Sequence, residues 1–236
     1  MIGRLWKVES LKIRRKGFWF LTVLGPFGVV ALQAVNYGLR KDYLLAQSED
    51  DWGYYLANVG AFTPLALVLG IAILTSFLAS IENETNAWKQ LMALPVSKVS
   101  VYLAKFAVLA CLLFVSSALL AGFALAHGLF LDLGGAVPYG GLFRHSFYPF
   151  FAALPILALQ LWAATVSQNQ ATPITVGVLG VILTLTAHDL PDWMIWKWPT
   201  LRNGWDEPLF SALLGIGAGS LLVLAGMADF ARRDVK

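Results

Sequence analysis

Glu82 and Glu84 form a carboxylate pair just ahead of Trp88, Lys89 and Pro95, in a polar stretch (82–105) between two long apolar runs. Such a pair raises the question of an intramembrane protease, but no histidine falls on the same side of the membrane to partner it. No GxSxG-type nucleophile occurs either. His127, His145 and His188 sit near the outer ends of apolar runs and belong to no HExxH or similar pattern, so their spacing makes no metal site. A glycine-rich phosphate loop ending in Lys-Ser or Lys-Thr is missing, which excludes ATP hydrolysis by that route. The chain therefore reads as a non-enzyme that binds no cofactor of its own.

The same stretch makes better sense as a docking element. Thr85 or Asn86 can accept a hydrogen bond from a free backbone N–H at a helix start. Trp88, Leu91 and Met92 then fall at helical spacing on one stripe, with Lys89 and Gln90 off it. Pro95 disfavours helical geometry at Leu94 and ends the segment, and Ser97 offers a cap for the next helix. Two readings stay open at this point. One is an interfacial loop anchored by Trp88 in lipid headgroups; the other is an amphipathic helix presented to a partner.

The elements that position this stretch span a membrane. Of 236 residues 58% are hydrophobic and 13% charged, where a soluble domain carries about one-quarter charged residues. Six apolar runs are expected to cross as helices, at 18–39, 56–81, 101–125, 147–166, 171–187 and 209–230, the fifth being the shortest. The fold class is an all-α membrane protein of one domain, 1–236, with a polar cytoplasmic loop at 82–100 between the second and third spans. No ionisable residue lies at the centre of a span, which disfavours an ion-coupled carrier. Cys111 is the only cysteine, so no disulfide forms within the chain. The first apolar run, interrupted by Pro26, reads as retained.

Lysine and arginine set the orientation. Twelve of the 17 flank the amino terminus, the 82–105 stretch and the carboxyl terminus; Arg40, Lys41, Arg144, Lys197 and Arg202 fall on the other side. Both termini and the 82–105 stretch are thus expected in the cytoplasm. The net charge of +3 reflects this topology and contact with membrane lipid, and it carries no nucleic-acid signature. Residues 1–17 mix basic and apolar side chains, as an interfacial helix or a topogenic flank does. Gln33, Asn36 and Gln160 place amides within spans, to bond a neighbouring helix or to touch substrate. The run Glu49 to Trp52 reads as a solvated loop. The outer segment 188–208 holds Trp193, Trp196, Trp198 and Trp205, as an aromatic belt or as a lid shaping an exit for an amphipathic substrate.

Six spans, a basic amphipathic start and the loop between spans two and three resemble ABC-2-type transporter permeases. The chain is most similar to the small permeases of bacterial lantibiotic and bacitracin-type immunity exporters. Glu84, Trp88-Lys89, Leu91, Pro95-Val96-Ser97 and Lys105 carry the resemblance. It implies a permease in a bacterial plasma membrane that exports an amphipathic or peptide antibiotic. It also implies two ATPase subunits holding ATP and magnesium, and a second permease copy or sister permease. Glu82, Glu84, Trp88, Lys89, Leu91, Met92 and Pro95 would then form a coupling helix seated in the ATPase, and Gln33, Asn36, Gln160, Trp193 and Trp196 would line the substrate path. A rival reading is a non-transporting membrane sensor or assembly factor that docks a cytoplasmic partner.

Overall fold

The structure is a computed structural model; it describes Leu11, Ile13 and residues 17–84, 97–167, 169 and 171–232, with backbone only at 82–84. The amino-terminal segment falls almost wholly outside these residues; within it Ile13 is buried and Leu11 exposed. Among the described residues, seven α-helices follow: α1 (Phe18–Leu45), α2 (Asp51–Glu84), α3 (Lys98–Phe130), α4 (Tyr139–Ala152), α5 (Leu154–Val166), α6 (Ala171–Leu185) and α7 (Pro208–Arg232). Two short 3-10 turns, Ala187–Asp189 and Trp198–Thr200, lie between α6 and α7. No strand occurs among the described residues.

Among the described residues, five segments are long and apolar enough to cross a membrane: α1, Asp51–Ile81 of α2, α3, the joined α4–α5, and α7. The remaining expected crossing, the fifth in chain order, is the 15-residue α6, which spans only ~22 Å against a hydrocarbon core of ~30 Å. Large apolar side chains such as Phe20, Leu39, Leu179, Leu221 and Leu224 stand exposed around the bundle, a surface suited to lipid and not to water.

Local chemistry explains where the helices begin and bend. Gly17 enters α1 at φ 80°, a left-handed conformation that glycine adopts without steric cost. Arg40 is non-helical (φ −141°, ψ 33°), so α1 kinks just where the apolar run ends. Asp50 caps α2 by accepting from the Gly53 N–H at 2.9 Å. Asp51 accepts from the Gly134 N–H at 3.4 Å, tying α2 to the α3–α4 loop. The acidic run expected to be merely solvated thus builds structure. Ser97 caps α3 as its sequence indicates, accepting from the Ser100 N–H at 3.2 Å.

Between α4 and α5 the helix breaks at Ala153. Pro155 has no N–H to offer the Phe151 carbonyl four residues back. Gly215 of α7 packs against that carbonyl and Ala152, so close that any Cβ there would collide. In lipid, close approach through small residues is a principal source of helix association, and here it fixes α7 on the α4–α5 break.

The long α2 is the centre of the bundle and packs against α1, α3, α4, α5 and α6; α7 closes over α3, α4 and α5. One core cluster runs from Phe18 and Tyr102 through Ile71, Leu109 and Leu157 to Phe230. A second gathers Tyr37, Trp52, Tyr55 and Leu120 at the opposite end.

Candidate functional site: two ends of the bundle joined by α2

At one end the start of α1, the end of α2, the start of α3 and the ends of α5 and α7 come together. Phe18 meets Phe77 edge-on at 5.5 Å, and Tyr102 meets Phe230 at 5.8 Å. Trp162 Nε1 donates to Asp229 Oδ2 at 2.9 Å. Lys105 is buried within α3 near the same end. Glu82 and Glu84 form the last turn of α2. Trp88, Lys89, Leu91, Met92 and Pro95, expected to dock a partner, lie outside the described residues. The described flanks nevertheless aim both helices of the α2–α3 hairpin at this end.

The polar positions within the spans separate into three places. Gln33 is 1% exposed and its Nε2 donates to the Asn58 carbonyl at 3.1 Å, joining α1 to α2. Asn36 is half-buried and accepts from Arg40 Nη2 at 2.7 Å. Gln160, 3% exposed, donates to the Pro173 carbonyl across the α5–α6 pair. Trp196 reaches the same α2–α5–α6 cleft as Gln160, with its indole against Gly180 of α6. Trp193 stays apart, 74% exposed.

The other end carries the loops and the 186–207 segment, which is tightly organised. Lys197 Nζ lies 2.8 Å from Asp192 Oδ1 and donates to the Leu190 carbonyl at 2.7 Å. The Gly204 N–H donates to Asp192 Oδ2 at 3.1 Å, and Trp198 Nε1 donates to the Asp192 carbonyl at 2.6 Å. The hydrogen bond from Lys197, helped by that from Gly204, holds the Asp192 carboxyl below its ordinary range. Asn203 ties the segment to α7, donating to Ser211 Oγ at 2.9 Å.

Under this segment α2, α4 and α6 enclose a cavity of about 420 Å³. Arg144, His145, His188 and Arg202 line it together with Phe62 and Leu65. The imidazole of His145 rests on Gly60 of α2, where a side chain would displace it. His127 is elsewhere, its Nδ1 3.0 Å from the Tyr55 hydroxyl in the aromatic cluster. Among the described residues, no group of three or more His, Cys, Asp or Glu side chains converges to hold a metal.

Sequence reasoning did not find this cavity. Its signal was present in the five basic residues of the sparsely charged side, two of which line it. Of the others, Lys197 pairs with Asp192, Arg40 with Asn36, and Lys41 Nζ donates to the Leu131 carbonyl at 2.7 Å.

The sequence model described as ABC-2 family transporter protein matches residues 5–184. The match covers α1 to nearly the end of α6, including the 82–105 stretch, and leaves the 186–207 segment and α7 outside it. No curated protein matches the chain.

Proposed function

The chain belongs to the ABC-2 family of transporter proteins, and on that premise we propose that it is the permease subunit of an ATP-driven exporter moving an amphipathic or peptide antibiotic out of the cell or its membrane, as self-immunity or resistance. Membership alone makes it a multi-pass membrane component of an ABC transporter, working with an ABC ATPase and not itself catalytic. The finer reading rests on one observation. A single helix, α2, runs from Glu84 beside the polar stretch to Ala57, Gly60 and Leu65 in the cavity wall, and packs on five other helices along the way.

The 34 residues of α2 cover ~51 Å. A displacement at its Glu84 end is therefore delivered to the cavity without any intervening loop. Glu82, Glu84, Trp88, Lys89, Leu91, Met92 and Pro95 form the coupling helix, with the apolar stripe seated in a groove of the ATPase and the charges at its rim. Two ATPase copies supply ATP and magnesium, and a second permease, identical or sister, completes the pore.

The lysine and arginine bias supports a cytoplasmic position for both termini and the coupling stretch, with the 186–207 segment outside; a bacterial plasma membrane follows from the resemblance to bacterial immunity permeases. The short α6 makes the remaining crossing, with the bilayer thinned locally around it. Gln160 and Trp196 border the substrate path where α6 leans on α2; Gln33, Asn36 and Trp193 lie apart from that cleft and are assigned to the path by the resemblance alone. Movement of α6 off α2 opens that route.

Reconstitution into vesicles with the cognate ATPase tests the reading. Trp88→Asp or Glu84→Ala is expected to leave insertion intact and abolish ATP-dependent movement of substrate. Normal export by Trp88→Asp would remove the coupling role.

A further inference from the structure

Two hollows in the bundle share a wall. The 420 Å³ cavity and an apolar groove of about 300 Å³ between α1 and α2 are both lined by Phe62 and Leu65. The two therefore adjoin across one turn of α2, with the Phe62 and Leu65 side chains forming the wall between them.

Their chemistry differs. The cavity joins Arg144 of α4 and Arg202 of the 186–207 segment, and no carboxylate lines it. Among the described residues, neither arginine side chain has a hydrogen-bond or ion-pair partner. Leu201, beside Arg202, is held at φ 60°, a left-handed conformation unusual for a branched side chain. Strain of that kind is kept where the surrounding structure needs it, and here it sets the turn that carries Arg202 to the cavity. Guanidinium groups recognise phosphate and carboxylate oxygens with paired hydrogen bonds.

The groove contains no charged residue. Gly28 of α1 leaves part of it open, since a Cβ there would meet nothing within 4 Å. Leu69 and Ile73 of α2 face the same space and are part-exposed. From Phe62 to Ile73 the groove follows α2 for ~17 Å, close to half of a ~30 Å hydrocarbon core and so the depth of one leaflet.

We infer that cavity and groove form one binding site for an anionic amphiphile, with its phosphate or carboxylate headgroup between Arg144 and Arg202 and its hydrocarbon chain passing Phe62 and Leu65 into the groove along Gly28. The site goes beyond the transport reading: this chain builds it, and it is read by binding, whatever the chain exports. The ligand is a membrane lipid, and a free anion is the other source of the same headgroup chemistry.

The test is lipid binding to the full chain, purified in mild detergent and titrated with phosphatidylglycerol and phosphatidylcholine of identical chains, read by native mass spectrometry. Phosphatidylglycerol is expected to bind about tenfold or more tightly. The Arg144→Gln/Arg202→Gln double variant removes the preference without lowering the thermal midpoint, whereas Arg40→Gln, which removes a charge at the same end, keeps it. Gly28→Leu weakens both lipids alike. Equal binding of the two lipids, or a preference lost equally in Arg40→Gln, would overturn the site. Displacement of phosphatidylglycerol by millimolar inorganic phosphate, with Gly28→Leu inert, would leave only a pocket for a free anion and overturn the amphiphile assignment.

Discussion

Trp196 lays its indole against Gly180, with Nε1 2.8 Å from where a Cβ on Gly180 would stand. This contact pins the 186–207 segment to α6, and it exists because residue 180 has no side chain. Gly180→Val is therefore expected to cost about 1–3 kcal/mol through overpacking. Trp196→Ala in the same background should recover part of that loss, since the two changes act on one contact. Thermal unfolding of the four proteins of this cycle in detergent measures the coupling.

The ion pair of Asp192 with Lys197 gives the segment a pH dependence. The folded carboxyl titrates below its ordinary range, so its contribution is complete above the unfolded value of about 3.9 and is lost as pH falls through the lower folded value. Protection factors over residues 190–205, referenced to intrinsic exchange at each pH, should stay high at neutral pH and fall only in strong acid. Asp192→Asn should exchange faster at neutral pH and lose the acid step. Protection that grows on acidification would contradict the pairing.

Gln33 is a staple between α1 and α2. Gln33→Leu keeps roughly the same volume but leaves the Asn58 carbonyl without its side-chain donor. Hydrogen bonds between membrane helices average about 0.6 kcal/mol and reach about 1.7 kcal/mol, and a loss within that range is expected in the thermal midpoint. Transport measured at equal amounts of folded protein reports separately on any contact with substrate.

Ser97 decides how firmly α3 begins beside the polar stretch. Ser97→Ala removes the acceptor for the Ser100 N–H and should destabilise the first turn by about 1 kcal/mol. Faster amide exchange over residues 98–102, with the rest of α3 unchanged, is the expected signature.

Helices were the legible part of this chain. Long apolar runs and the Ser97 cap are local signals, and a helix answers to local signals. The extra turns of α1, α3 and α4 beyond their apolar runs were not readable, because charged residues such as Arg40, Lys41 and Arg144 look like loop residues in the sequence. The shortness of α6 was legible, since the fifth apolar run is the shortest of the six, and the 3-10 turn at Ala187–Asp189 trims it a little further. The cavity was hidden for another reason. Gly60, Arg144, His188 and Arg202 are distant in sequence, and only the crossing of α2, α4 and α6 under the 186–207 segment brings them together. Trp196 was legible as an aromatic at a membrane boundary, yet its seat on Gly180 required both elements in place.

The central claim is that the stretch after α2 couples this permease to an ATPase. Affinity purification of the full chain from its native membrane in mild detergent, with identification of co-purifying proteins and an ATPase assay, tests it most directly. A stoichiometric ATP-binding subunit with measurable hydrolysis is expected, lost with Trp88→Asp while the variant still inserts and folds. A chain that purifies without any nucleotide-hydrolysing partner, or one whose ATPase is retained in full by Trp88→Asp, would contradict it.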